Sequence, residues 1–85
     1  MSQQEIFHRV QAVTSELLKV PTERVTAGAR LVEDLSVDSL YLTELAMALE
    51  EAFDISVPDE DIPGLTTVGA MAEYVAQRMT ERVNA

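Results

Sequence analysis

Cysteine and tryptophan are absent from this chain of 85 residues, and two tyrosines and two phenylalanines are its only large aromatic side chains. Without cysteine there is neither a disulfide framework nor a thiolate metal site. With so few rings, aliphatic residues and methionine must build the interior, which favours a compact helical bundle. Bases are scarce too: six Lys and Arg stand against fifteen Asp and Glu, for a net charge of −9. Such a surface repels nucleic acid and anionic membranes and attracts basic protein patches. No apolar run approaches the ~18 residues of a membrane span. The N-terminus has no basic, apolar signal region, so the expected location is cytoplasmic. The length makes one domain, 1–85. Such a chain buries only roughly 60 to 65% of its unfolded surface, too little for a deep catalytic cleft and its scaffold.

What is there reads as helices. Ser2 and Glu5 have capping-box spacing, and Ile6, Val10, Val13 and Leu17 follow as one stripe, with Phe7, Thr14 and Leu18 beside it. A first helix is predicted from about residue 3 to residue 19. Pro21 disfavours helix at Val20, and a loop without periodicity runs from about 20 to 37, with a helical turn at 21–24. In it Leu31 and Leu35, at i and i+4, are placed to pin the loop onto the bundle. A second helix over about 39–53 carries Leu42, Leu45, Ala46, Leu49 and Phe53 on its inner side. Ile55 and Val57 alternate in an extended connector, followed by a short acidic turn over about 59–62. Thr67 caps a last helix with a stripe of Val68, Met71, Ala72, Val75 and Met79, and Arg78 and Arg82 near its end complement the dipole. The predicted fold is all-α, a four-helix bundle of three long helices and one short helix. Small residues on facing helices, Ala46 against Ala72 and Ala76, are placed to leave a slim apolar seam.

The stretch "EDLSVDSLYLTEL", residues 33 to 45, carries the chemical question. Ser39 could cap the second helix, act as a nucleophile, or be a place of attachment. A nucleophile needs a base, yet there is no G-x-S-x-G elbow and His8 is the sole histidine. The acids of "PDEDIPG" do not match a calcium loop, so no metal site is predicted. Attachment needs less. A primary alcohol at an exposed helix start can be phosphorylated with a bulky group by another enzyme, and the phosphodiester then lies by free N–H groups at the positive end of the dipole.

The run "VEDLSVDSLYLTELAMALEEAFDISVPDED" resembles the central motif of acyl carrier proteins, in which the serine of a "D-S-L" triplet bears 4'-phosphopantetheine. "VPDEDI" and "TTVGAMAEYV" are similar to the family's third and fourth helices, so the resemblance covers about two thirds of the chain. It implies that Ser39 is loaded from coenzyme A by a phosphopantetheinyl transferase, that Asp38 helps the transferase recognise the site while also capping the helix, and that the arm's thiol holds acyl intermediates as thioesters. The working thiol then belongs to the prosthetic group, in keeping with the missing cysteine. The chain would not be an enzyme but a stand-alone monomeric carrier serving fatty-acid, polyketide or other lipid-forming enzymes.

The resemblance also implies that Leu40, Tyr41, Glu44, Met47, Glu50 and Glu51 meet partner enzymes, the acids seeking basic patches. Met47 serves core packing equally well, and Glu50 and Glu51 also read as solubilising charges. Three positions depart from the pattern the resemblance implies: Ser36 stands where glycine is usual, Tyr41 where housekeeping fatty-acid carriers commonly have an acid, and Thr43 where an aliphatic is usual. The first bears on the turn before Ser39, the others on partner choice. A rival without the prosthetic group is an acidic helical adaptor that binds a basic protein surface and uses Ser39 only as a cap.

Overall fold

The computed structural model describes residues 2–84, with side chains as far as Thr80. Three long helices, α1 (Gln3–Leu18), α2 (Ser39–Phe53) and α3 (Val68–Asn84), are joined by a loop containing a 3-10 turn, Thr22–Arg24, and by a connector containing a short 3-10 helix, Asp59–Gly64. This is the expected all-α bundle of three long helices and one short one. The short helix runs two residues past the predicted end, because Pro63 fits a 3-10 turn whose hydrogen bonds do not need its missing N–H.

Helix α1 starts at the predicted capping box: Glu5 N–H donates to Ser2 Oγ at 3.1 Å, and Ser2 N–H donates to Glu5 Oε1 at 3.0 Å. It stops one residue early, where Lys19 turns left-handed with φ 58°. Its buried line is Ile6, Val10 and Thr14, while Val13 and Leu17 are half-buried. The stripe is thus rotated from the predicted one toward a polar residue. Thr14 tolerates full burial because its hydroxyl donates to the Val10 carbonyl at 2.8 Å, which leaves only its methyl to pack.

The long loop is ordered by burial. Leu31 and Leu35 are both in the core as predicted, together with Val25, Ala29 and Val37, which show no periodicity in the sequence. The loop also forms a one-residue antiparallel bridge, Arg30 to Thr67, flanked by Leu31 N–H to Thr66 O at 3.0 Å and Val68 N–H to Ala29 O at 3.1 Å. Just beyond, Gly69 N–H donates to Ala27 O at 2.9 Å, and a Cβ on Gly69 would stand 2.9 Å from that same oxygen. Only glycine lets α3 approach the loop this closely.

Thr67 caps α3 as predicted, its Oγ1 accepting from Ala70 N–H at 3.0 Å. Val68, Met71, Ala72 and Val75 are buried, and α1 lies against both α2 and α3. Arg78 differs from expectation. The helix continues to Asn84, so Arg78 is interior to it, and its Nε donates to Ser56 O at 3.1 Å while its guanidinium lies 6.0 Å from the Tyr74 ring. With Tyr74 Oη donating to Asp61 Oδ2 at 2.6 Å, Arg78 clips the connector to α3. The side chain of Arg82 lies outside the described residues. No helix among the described residues is long and apolar enough to cross a membrane.

Candidate functional site

Two buried side chains, Leu35 and Val37, anchor the turn that leads into α2, and Ser36 is exposed between them. Ser36 has φ 58°, in the left-handed region that favours glycine. The turn therefore holds at a serine a backbone conformation that glycine adopts without the strain of a Cβ. Asp38 follows in extended conformation as the N-cap, its Oδ1 accepting from Tyr41 N–H at 2.8 Å. Ser39 is the first residue of α2 and is exposed. The capping task falls to Asp38, which leaves the Ser39 hydroxyl without it. His8 is exposed on α1, its ring 6.0 Å from that of Phe7, and no hydrogen bond among the described residues joins it to Ser39. No group of three or more His, Cys, Asp or Glu among the described residues could hold a metal ion.

Below Ser39, α2 divides into two faces. Leu45, Ala46, Leu49 and Phe53 are buried. Leu40 and Met47 lie one heptad apart on the outer face, 70% and 59% exposed, with Glu44 and Glu51 beside them and also exposed. Met47 is thereby outside the core. Tyr41, 44% exposed, is turned toward the margin of this face. Thr43 is exposed, and its hydroxyl donates to Ser39 O at 3.1 Å. Glu50 differs from the other acids: it is half-buried, and its Oε2 accepts from Val57 N–H at 2.8 Å.

The small residues sort differently from the predicted seam. Ala46 is packed inside, whereas Ala72 and Ala76 line an open groove of about 690 Å³ with Phe7 and Gly69. The groove runs between α1 and α3, not between α2 and α3. It arises because α3 carries Gly69, Ala72 and Ala76 along one side, where α1 opposes them with the single ring of Phe7.

Residues 8–75 match the family described as the phosphopantetheine attachment site. An acyl carrier protein of Prochlorococcus marinus (strain MIT 9515) is 45% identical over 75 residues, which cover 88% of this chain and 94% of that protein. The chain belongs to the acyl carrier protein family. Membership decides between the two sequence readings, in favour of a carrier with a covalent 4'-phosphopantetheine and against the unmodified adaptor.

The start of α2 fits that group. In an acyl carrier protein the group needs an accessible alcohol and a place for a phosphodiester. The exposed Ser39 offers the alcohol, and the N–H groups of Ser39 and Leu40, at the first two helical positions, have no intrahelical acceptor. The nearest carboxylate, on Asp38, is turned to the Tyr41 N–H, so its charge is partly offset by that donor.

Proposed function

We propose that Ser39 of this carrier is the attachment residue, loaded from coenzyme A by a phosphopantetheinyl transferase, and that the single domain 1–85 then presents acyl thioesters to lipid-forming or polyketide-forming enzymes. The observation that carries the reading is the exposed Ser39 hydroxyl at the first position of α2, relieved of capping by Asp38. When bound, the prosthetic group supplies the thiol that holds the acyl chain as a thioester.

The chain's own residues position and present. Asp38 fixes the first turn and, as the acid beside the alcohol, is the residue a transferase can read. Leu40 and Met47 form an apolar centre rimmed by Glu44 and Glu51, with Tyr41 at its margin and Glu50 braced against the connector. Acids at a rim steer a basic partner and speed encounter while adding little affinity each, which suits a carrier that must leave each enzyme after one step. The domain is not an enzyme on this reading, since among the described residues the adjacent Asp38 carboxylate is engaged by the Tyr41 N–H and no hydrogen bond joins a base to the Ser39 hydroxyl. It acts in the cytoplasm on this reading, and as a monomer, since a net charge of −9 opposes association with a second copy.

Intact mass after incubation with a transferase and coenzyme A tests the assignment. Wild type is expected to gain one phosphopantetheine and Ser39→Ala none, with both showing the same helix content. Modification of Ser39→Ala would place the site elsewhere.

A further inference from the structure

Among the described residues, four large apolar side chains stand out of the surface: Val32, Leu40, Tyr41 and Met47. All four fall within sixteen positions that bracket Ser39, and three of them belong to the α2 face already described. Val32 does not. It lies in the preceding loop and is 60% exposed.

An isolated exposed valine is ordinary. This one sits on a turn that is firmly built. Leu31 and Leu35 on either side are buried, Val37 N–H donates to Leu31 O at 2.9 Å, and the Arg30 carbonyl accepts from the N–H groups of both Asp34 and Leu35, at 2.8 and 3.2 Å. The turn thus presents Val32 at a defined place. That place is near the attachment residue, since the Leu31 to Val37 hydrogen bond holds the Val32 and Ser39 Cα atoms within about 16 Å by chain reach alone. A protein seated on Ser39 with a common interface of about 800 Å² per partner, roughly 30 Å across, can cover both.

The charges around Val32 differ from those on α2. Its neighbours Glu33 and Asp34 are held by Arg30, whose Nη1 and Nη2 lie 3.9 Å and 3.3 Å from the two carboxylates. On α2 the acids Glu44, Glu50 and Glu51 share the helix with no base. One base against Glu33 and Asp34 leaves the Val32 turn only weakly negative, whereas the three acids of α2 stand with no base, so the exposed valine offers an apolar contact where the charge is largely paired.

We propose that Val32 is a second apolar anchor of the docking surface, set off α2, and that it meets an apolar side chain of the phosphopantetheinyl transferase beside that enzyme's basic patch. The inference rests on the carrier reading above. It predicts two separable components of docking, one screened by salt on α2 and one indifferent to salt at Val32.

Transfer kinetics at about 0.05 M and about 0.5 M salt separate them. Val32→Ala and Val32→Thr should each raise KM about three- to tenfold at both salt levels, with kcat, helix content and melting temperature unchanged, because the side chain is exposed in the free protein. Val32→Ile should retain the wild-type KM. Glu44→Gln should instead raise KM at low salt and match wild type at high salt. Wild-type KM in Val32→Ala and Val32→Thr, or a loss that disappears at high salt, overturns this inference alone. A wild-type chain that takes up no phosphopantetheine overturns the carrier reading and this inference with it.

Discussion

The Glu50 carboxylate accepts a hydrogen bond from the Val57 backbone N–H at 2.8 Å, joining the last turn of α2 to the connector that follows it. Val57 is buried, so its N–H has little access to water and needs this acceptor. Glu50→Ala should therefore destabilise the fold by about 1 kcal/mol, measured by denaturant unfolding, whereas the exposed Glu51→Ala should change it by less than about 0.5 kcal/mol. Equal effects of the two would mean that the Val57 N–H is satisfied otherwise.

Ser36 holds a positive φ at the turn before Ser39. Ser36→Gly removes the Cβ strain at the price of a more flexible unfolded chain, and the net should be a gain of about 1 kcal/mol. Ser36→Ala, which keeps the Cβ, should bring no such gain. The check is the urea midpoint of the three proteins, with transfer of phosphopantetheine as the control that the turn is intact.

Asp34 sits against Arg30, and the hydrogen bond from the Arg30 backbone N–H, followed by those from its guanidinium, holds the Asp34 carboxyl below the ordinary aspartate value. A depressed folded pKa contributes stability that is complete above the unfolded value, about 3.9, and is lost as pH falls through the folded one. Asp34→Asn should therefore reduce the acid sensitivity of the fold below about pH 4 and leave its pH dependence above pH 6 unchanged. Carboxyl NMR shifts against pH should show Asp34 titrating below the ordinary aspartate value; an ordinary titration would remove the basis for the effect.

Seven acids and no base lie between positions 33 and 54; among the described residues Arg30 pairs with Glu33 and Asp34, while Glu44, Glu50 and Glu51 share α2 with no base. Added monovalent salt should raise the melting temperature by screening the others, since their spacing on α2 is within a Debye length of about 10 Å at 0.1 M. A melting temperature indifferent to salt would mean that these charges are too well solvated to repel one another.

Tyr41 places a half-exposed ring on the margin of the outer face of α2, two residues after Ser39. On the partner-choice reading, Tyr41→Asp should improve turnover by general fatty-acid enzymes and weaken turnover by a dedicated partner, with little change in stability. Unchanged turnover with both would show that the ring only covers its neighbours on the helix.

Helices were legible where a period repeats: the limits of α2, the Ser2 capping box and the Thr67 cap each follow from local spacing that any environment would favour. The candidate attachment segment could be read from its resemblance to acyl carrier proteins, because Asp38, Ser39 and the outer face of α2 all lie on one short continuous segment. The loop was not. Val25, Ala29 and Val37 are buried by residues distant in sequence, and the Arg30 to Thr67 bridge joins positions that no periodicity relates. Charge pattern alone could not separate Glu50 from Glu51, since the difference is a backbone N–H that the folded connector brings alongside one of them. The sequence by itself determined the helices, the acid excess and the serine at a helix start, because these depend on neighbours within one or two turns. Only the tertiary structure decided that Thr14 rather than Val13 enters the core, that Ala72 and Ala76 line a groove against α1, and that Val32 is held exposed on the turn before α2. Each of these depends on which distant surface arrives to cover a side chain, and that is set by packing of the whole chain.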